Sequence, residues 1–553
     1  MPIRLLVLIF ALCIFTIQEG APMPANTGFT VWTADPLVKV LPNSPIPEKP
    51  SKNISIHAVK NEYESAQIVV TAGKDIEKLA VGAVTLVGPS KLAPRVEAHF
   101  LGFIPVEKGT SDTPPEDLIT GVPAEIPDPL IESKSVSVKA GRNQPIWLTV
   151  YVPKGAAPGT YKGTIQVTAD SDTVDVPISI EIHPVMLPDD RTLYLTNWFS
   201  TGNIASAHGM EKWSESYWKM LGAYARCMAD HRQNTVITPI MELIAIRYDS
   251  SGNRTLDFSR FDRWVELFQK AGVIGTIEGG HLGGRSDWEA KDFNASWPTI
   301  LNPDGSVKPN PAVTTTSEEE REFLSYFLPA LQKHLEEKGW LDNYIQHLAD
   351  EPIPANAESY KKLRSYVREF APKLRVIDAS MCTEIAGSID IWVPQPPEYE
   401  AKESFFQERR KAGDEIWFYT CLAPKGKYMN RFMDVQLIKT RLLHWMNFKY
   451  GLTGYLHWGF NHWRGDPFSD LQSDWLPPGD SHIVYPGKRG PMSSIRLEAL
   501  RDGVEDFELL KLLEKKDPKK ARAICDSIVR TMTDYSLDPS EFGKARMKLI
   551  EAL

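Results

Sequence analysis

The sequence has few of the features that mark nucleic-acid-binding, metal-clustering or nucleotide-binding proteins. It contains no run of Lys and Arg, and its formal net charge of −9 disfavours binding to a polyanion. The segment from Glu278 to Gly284 is rich in glycine but lacks the Lys-Ser or Lys-Thr of a phosphate-binding loop. Cysteines are scarce and show no Cys-x-x-Cys spacing, which disfavours a metal cluster and a disulfide framework. We therefore expect no metal, no cofactor and no nucleic-acid partner.

Long apolar runs are also missing, except for one at residues 5–17. Arg4 precedes this run, and the small residues Gly20 and Ala21 follow it. This order is typical of a secretory signal peptide, and the run is shorter than the roughly 20 apolar residues of a membrane-spanning helix. We expect a signal peptide over residues 1–21 and export to the periplasm or the extracellular space. The sequence does not indicate an oligomeric state.

Residues 22–188 read as an all-β domain. Segments 54–59, 66–70, 145–152 and 161–167 are rich in β-branched residues or alternate between apolar and polar, and a turn-forming cluster occupies residues 154–159. Short strands separated by turns over such a length predict a β-sandwich.

Residues 189–515 change to strands that alternate with amphipathic helices. The predicted strands are 192–199, 234–240, 275–280, 343–349, 375–379, 389–393, 415–421 and 454–460, and the connection between the fifth and sixth is poor in helix. Eight such units predict an α/β fold, a (β/α)8 TIM-type barrel that serves as a catalytic domain. We expect its last helix to pack on the outside and a helical tail to follow over residues 516–553.

Two acidic residues stand at the end of the fourth predicted strand. Asp350 and Glu351 precede Pro352, which ends strand pairing, and catalytic groups of barrel enzymes lie at this edge. An Asp-Glu-Pro tripeptide is also compatible with an ordinary helix start. The surroundings favour catalysis, since two neighbouring carboxylates can divide the tasks of proton donor and ionised group.

The other strand ends combine aromatic, amide and imidazole side chains. Such groups suit a carbohydrate, because rings stack on sugar faces and polar groups bind hydroxyls. Glu278 either faces the same cavity or pairs with an arginine such as Arg285, His347 is better suited to supporting the site, and Trp392 could equally be core. The predicted substrate-binding residues are Asn197, Trp198, Asn234, Glu278, His281, His347, Trp392, Tyr419, Trp458 and Asn461.

Adjacent acids raise a geometric question. Neighbouring strand residues point to opposite faces, whereas retaining glycosidases hold their carboxyl groups about 5–5.5 Å apart and inverting ones about 6.5–9.5 Å apart. At the end of a strand the side chains no longer alternate strictly, so both carboxyl groups can reach the same cavity. A third arrangement needs no protein nucleophile, because the 2-acetamido group of the substrate attacks the anomeric carbon.

The segment from His347 to Pro352 resembles the catalytic motif of the β-N-acetylgalactosaminidases of glycoside hydrolase family 123. Segment 147–163 is similar to the amino-terminal domain of that family, and segment 495–508 to its closing helix. The resemblance implies that Asp350 assists the acetamido group and that Glu351 is the general acid/base. It also implies an exported, retaining enzyme that removes terminal β-linked N-acetylgalactosamine from glycans or glycolipids. The alternatives are a glycosidase of the same scaffold for another β-linked sugar and a non-catalytic carbohydrate-binding protein.

Overall fold

The computed structural model describes residues 28–273, 275–469 and 475–553. The predicted signal peptide, residues 1–21, lies outside these ranges. Within them, no helix combines the length and the apolar character needed to cross a bilayer.

The amino-terminal region consists of two five-stranded sheets that enclose one apolar core. Alternate side chains such as Ile68 and Val70 of one sheet and Ile178 and Ile180 of the other are buried in it. The β-rich domain predicted from the sequence is therefore confirmed. In spatial order, one sheet contains Phe29–Ala34, Glu62–Ala72, Asn143–Val152, Arg95–Val106 and Ala124–Ile131, and the other contains Ile54–Lys60, Asp172–Met186, Gly159–Ala169, Ile76–Val81 and Ser135–Val138.

The second region is a mixed α/β domain built on two parallel sheets. The strands are buried, as expected of parallel sheets covered by helices. They coincide with the eight predicted strands, the seventh being split at Trp417. In spatial order, the smaller sheet contains Tyr194–Asn197, Gly454–His457 and Phe418–Thr420, and the larger contains Thr235–Thr238, Thr276–Gly279, Tyr344–Gln346, Arg375–Ala379, Ile391–Val393 and Glu415–Ile416.

Helices connect most of these strands. The fifth and sixth strands are joined through only the 3-10 turn Thr383–Ile385, as the sequence indicated. A small sheet of Arg254–Asp257, Ala245–Tyr248, Thr299–Leu301 and Val307–Lys308 is inserted after the second and third core strands. The α-helices of this part are Thr201–Ala207, Glu215–Asp230, Ile240–Leu243, Ser259–Ala271, Glu318–Lys338, Ala357–Phe370, Pro396–Ala401, Glu403–Lys411 and Ile438–Tyr450.

The helix Ile495–Lys516 is more deeply buried than the sequence predicted. It packs against the helix Ile438–Tyr450, and a Cβ at Gly503 would lie 2.3 Å from the carbonyl oxygen of Arg441, so the close approach requires glycine there. Its other side reaches the sandwich, where Arg496 forms a two-bond ion pair of 2.8 and 2.9 Å with Asp128. The expected outer helix is therefore one of the elements that join the two domains. Helices Pro518–Ile528 and Pro539–Ala552 follow it.

Candidate functional site

The acid pair lies beyond the end of the fourth core strand. The strand ends at Gln346, earlier than predicted, and the chain stays extended because the His347 N–H donates to the Gly279 carbonyl at 3.1 Å and the Leu348 carbonyl accepts from Gly283 N–H at 2.9 Å. Glu351 then adopts the left-handed conformation, with φ of 46°. Such a conformation costs a non-glycine residue roughly 1–2 kcal/mol, and strain of this kind is concentrated at functional sites.

A cavity of about 660 Å³ opens next to the pair. Its wall combines apolar side chains such as Ile240 and Met241 with two tryptophans, two histidines and one of the two acids, and a mostly apolar wall with a few polar groups is typical of small-molecule sites. The residues concerned are Trp198, Trp458, His281, His462 and Asp350.

Asp350 faces this cavity from a poorly solvated position. Burial and the nearby charge of Asp378 raise the pKa of Asp350 to about 6, although His347 and Arg285 oppose the shift. The carboxylate can therefore change its protonation state in the range in which a general acid, a general base or an assisting carboxylate works.

His347, which is fully buried, lies between two carboxylates and interacts electrostatically with Asp350. His347 Nδ1 is 2.7 Å from Asp378 Oδ1, and Nε2 is 2.7 Å from Glu278 Oε1. Burial alone would lower the pKa of His347, but the two hydrogen-bonded carboxylates raise it to about 10. Asp378 also accepts a 2.6 Å hydrogen bond from the Tyr360 hydroxyl. The ring of His347 packs against two residues of the cavity wall, with centroids 5.3 Å from Trp198 and 4.6 Å from His281.

Glu351 is held by two side chains of its own. The Tyr419 hydroxyl donates to Glu351 Oε1, and Arg285 Nη2 lies 3.5 Å from Oε2. Burial and the Asp350 charge raise the pKa of Glu351, while Tyr419 and Arg285 counteract the rise. The two acids are therefore coupled, so the protons of the pair leave in two steps that belong to both.

One group of possible metal ligands occurs among the described residues, formed by His281, His347 and Asp378. Both ring nitrogens of His347 are already hydrogen-bonded to carboxylates, and a histidine protonated on both nitrogens has no lone pair for a metal. His281 is kept neutral, since burial and the His347 charge lower its pKa to about 4. The arrangement fits an internal ion pair better than a metal centre.

Five predicted residues line the cavity or contact the groups around the acid pair. Trp198, His281 and Trp458 line the cavity, Tyr419 donates to Glu351, and His347 packs against Trp198 and His281.

Glu278 also supports the residues around the acid pair, through contacts that the sequence did not indicate. It neither lines the cavity nor pairs with Arg285, but accepts from Thr196 Oγ1 at 2.6 Å and from Trp198 Nε1 at 2.7 Å, besides its contact with His347. Its role is to orient Trp198 and His347.

Four other predicted binding residues are buried elsewhere. Asn234 lies at the amino end of its strand, away from the acids, and binds the backbone of Leu193 and Leu195. Trp392 packs among Phe405 and Phe406 and donates to Asp414, so it is core. Asn197 contacts Arg431 and Gln233, and Asn461 joins Ser200 and Asn203. None of these four residues lines the cavity next to the acid pair.

Sequence reasoning missed Asp378 and Asp480. Asp378 is a charged residue inside the apolar strand Arg375–Ala379, and this mismatch was a usable signal. Asp480 accepts from Trp458 Nε1 at 3.1 Å and so orients a cavity wall, and burial raises its pKa to about 7. It lies in an irregular loop, where no sequence pattern identifies it.

Comparisons with known proteins agree with this geometry. A family model described as the glycoside hydrolase 123 catalytic domain matches residues 198–513, and one described as the glycoside hydrolase 123 N-terminal domain matches residues 42–169. No curated protein sequence matches the chain.

Among solved structures, a family 123 glycoside hydrolase from Clostridium perfringens, described in connection with glycolipid glycan hydrolysis, aligns with a TM-score of 0.74. The alignment covers 95% of this chain and 97% of that one at 17% identity, so the two proteins share a fold. A family 10 xylanase with a bacterial Ig-like domain from termite gut gives a TM-score of only 0.34 at 11% identity, over 83% of this chain and 100% of that one.

Proposed function

The chain belongs to glycoside hydrolase family 123, and from this premise we propose that it removes terminal β-linked N-acetylgalactosamine by a retaining, substrate-assisted mechanism. The observation that carries the proposal is the adjacency of two coupled carboxylates, of which Asp350 lines the cavity and Glu351 is held by Tyr419 and Arg285. Such a pair suits a reaction in which one acid orients the acetamido group and the other moves a proton.

In the first step, the carbonyl oxygen of the acetamido group attacks C1 of the sugar and forms an oxazolinium ring. The bond between C1 and the leaving oxygen breaks, and Glu351 gives its proton to that oxygen. Asp350 accepts a hydrogen bond from the acetamido N–H and balances the positive charge of the ring.

Water then adds to C1 on the face that the leaving group has vacated, and Glu351 takes its proton. The C1–oxygen bond of the ring breaks, the acetamido carbonyl is restored, and the product retains its configuration. Glu351 is thereby protonated again for the next turnover.

The proton must reside on Glu351 when the reaction starts, although burial also raises the pKa of Asp350 to about 6 in the free enzyme. A bound acetamido N–H donates to Asp350 and favours its ionised form. Binding of the substrate therefore keeps the shared proton on Glu351, which is a reason for the enzyme to favour 2-acetamido sugars.

The scaffold in this proposal is a (β/α)8 barrel that includes both parallel sheets. Asn234 joins the first two strands, because its backbone N–H donates to the Leu195 carbonyl at 3.3 Å and its side chain accepts from Leu195 N–H at 2.9 Å. At the other junction, Trp417 N–H donates to the Trp392 carbonyl at 2.8 Å. These bonds support a continuous ring of strands with the acids at its carboxyl edge.

The natural substrate is proposed to be a glycolipid or glycan met outside the cytoplasm. The similarity to the Clostridium perfringens enzyme, whose structure was described in connection with glycolipid glycan hydrolysis, supports the first part. The apolar run at residues 5–17, preceded by Arg4, supports export.

A thiazoline analogue of N-acetylgalactosamine tests the mechanism, since it copies the cyclic intermediate. We expect competitive inhibition at concentrations at least about 100-fold below KM, with loss of this affinity in Asp350→Asn. Comparison with the matched N-acetylglucosamine thiazoline tests which of the two sugars the site prefers. Covalent labelling of an enzyme carboxylate by a 2-fluoro glycoside would instead identify a protein nucleophile, and the mechanism would be rejected.

A further inference from the structure

A second cavity, of about 700 Å³, lies between the β-sandwich and the α/β domain. One wall is the outer face of a sandwich sheet, and the other includes helix Glu215–Asp230 and the segment just before helix Ile495–Lys516. This cavity shares no lining residue with the one beside the acid pair. Its volume is within the range of small-molecule sites, so it is large enough for a sugar unit.

The sandwich wall of this cavity follows from the alternation of side chains along its strands. Arg95 and Glu97 are two positions apart on one strand, and Tyr151 and Thr149 lie directly opposite them on the next. Residues two positions apart share a face of a sheet, and the intervening residue of each strand packs in or against the sandwich core. Tyr63 lies opposite Tyr151 on the third strand, with the ring centroids 4.7 Å apart. The Arg95 guanidinium lies over the Tyr151 ring, 4.9 Å from its centroid.

The charged side chains of the cavity lack partners. Arg95 of the sandwich, Arg226 of the helix and Arg489 of the loop line it and are exposed, and among the described residues none of them forms an ion pair. Glu97 and Asp230 line the same cavity, and they too are exposed and form no ion pair within the described part of the chain. By contrast, charged residues buried at the same joint between the domains are paired with one another. The cavity therefore offers free groups of both signs to a ligand.

These groups define the chemistry of the ligand. A guanidinium binds a carboxylate or a sulfate through two parallel hydrogen bonds. The carboxylates of Glu97 and Asp230 repel a polyanion, but they accept hydrogen bonds from hydroxyl groups. A ligand that carries one anionic group and several hydroxyls satisfies both kinds of side chain, and acidic sugars combine these features. An amino acid, with an ammonium group in place of the hydroxyls, is the other candidate.

We propose that the cavity between the two domains is a second carbohydrate-binding site, which takes an acidic sugar that bears a carboxylate or a sulfate. The arginines that line the cavity bind the anionic group, and Glu97 and Asp230 accept from the ring hydroxyls. The choice of a sugar over an amino acid rests on the proposed function, the hydrolysis of glycans. The site itself is separate from the reaction at the acid pair.

The test measures Kd by saturation-transfer NMR for methyl β-glycosides that differ only at C6, namely the neutral hexose, its 6-sulfate and its uronic acid, in the galacto and the gluco series. We expect an acidic form to bind at least about 10-fold more tightly than its neutral parent, as for a hydrogen bond to a charged group. Comparison of the 6-sulfate with the uronic acid identifies which anionic group the site prefers. Equal affinity of the neutral and acidic forms would overturn the proposal.

Inorganic sulfate and glutamate, added as competitors, test whether the sugar ring is recognised. We expect both to bind at least about 10-fold more weakly than the preferred acidic sugar, because neither offers ring hydroxyls to the two carboxylates. Inorganic sulfate that competes as well as the sugar would indicate an anion site without sugar recognition. Glutamate that competes better would indicate an amino-acid site. Either result overturns the proposal.

Arg95→Met and Arg226→Met locate the ligand, because they remove a guanidinium group from opposite walls of the cavity. Each should weaken binding of the acidic sugar about 10-fold, with thermal melts confirming that the variants remain folded. Arg368→Met, which removes an exposed arginine outside the cavity, should leave Kd unchanged. Unchanged affinity in either cavity variant would show that the sugar does not lie between the two walls.

A saturating concentration of the thiazoline separates this site from the acid pair. The thiazoline should leave the Kd of the acidic sugar unchanged, since the two cavities share no residue. Displacement of the acidic sugar by the thiazoline would place that sugar at the acid pair and overturn the inference. Failure of the thiazoline to inhibit hydrolysis would count against the proposed function alone, because the arginine variants report on the cavity between the domains.

Discussion

Replacement of Tyr419 by Phe tests how the structure sets the protonation of Glu351. The Tyr419 hydroxyl donates a hydrogen bond to Glu351 Oε1 and thereby lowers the pKa of Glu351, against burial and Asp350, which raise it. Without the hydroxyl, the ionised carboxylate loses a stabilising partner while the protonated form loses less. The pKa of Glu351 should therefore rise.

The size of the rise follows from the value of a hydrogen bond to a charged group, about 1.5–3 kcal/mol. Since about 1.4 kcal/mol corresponds to one pKa unit, the bond could account for one to two units. We expect the lower end, about one unit, because the Glu351 side chain is 22% exposed and keeps its contact with Arg285.

The assay is the pH profile of kcat/KM, measured with a glycoside whose leaving group needs protonation, such as an unsubstituted phenyl glycoside. In the proposed mechanism Glu351 must carry a proton, so activity is lost as the pH rises through its pKa, and this basic limb should move about one unit upward in Tyr419→Phe. The control is Tyr428→Phe, which removes a similar 3.0 Å bond to Glu400 outside the site. A basic limb that stays in place or moves downward would refute the reasoning.

Three further predictions concern the acids and the joint between the domains. Glu351→Gln should slow hydrolysis of natural glycans about 10²- to 10⁴-fold but spare substrates with good leaving groups; equal losses would exclude the acid role. Asp350→Asn should slow both types and move the remaining basic limb to lower pH, because the Asp350 charge raises the pKa of Glu351; near-wild-type rates would make Asp350 a helix-start residue. Arg496→Met, which removes the ion-pair partner of the buried Asp128 and leaves it with the hydrogen bond from the Tyr485 hydroxyl, should lower the free energy of unfolding by about 3–5 kcal/mol in urea titrations. Arg142→Met, which breaks the exposed pair with Glu125, should change it by less than about 1 kcal/mol, and similar losses in both variants would contradict this reading of the joint.

The core strands were predictable because they depend on local patterns. Apolar runs of strand length between helical periods mark the eight core strands, whereas Pro352 did not locate the end of the fourth strand, which already stops at Gln346. The binding residues were less predictable, because the sequence of a strand does not show which residues lie at the cavity and which lie at its other end or point outward into the helices. Asn234 lies at the amino end of its strand and Trp392 points outward into the helices, and nothing local distinguishes them from Trp198, which lines the cavity.

The buried ion pairs could not be predicted from the sequence, for a different reason. Arg496 and Asp128 are 368 positions apart and form one ion pair, and His347 obtains its charge from Glu278 and Asp378 on two other strands. Each residue alone reads as an ordinary polar position. Only the folded chain removes water from both partners, and this desolvation makes the pairing obligatory.

The adjacency of the two acids shows how the fold resolves a conflict that the sequence presents. A regular strand would send neighbouring side chains to opposite faces, so two adjacent acids that act on one substrate are incompatible with a strand that continues to Glu351. The strand ends at Gln346, and Glu351 takes a φ of 46°, which interrupts the alternation after Asp350. The contacts of Glu351 with Tyr419 and Arg285 and the buried Pro352 offset the cost of this conformation. The strained backbone and the contacts of Glu351 together place two carboxylates next to each other, as the proposed mechanism requires.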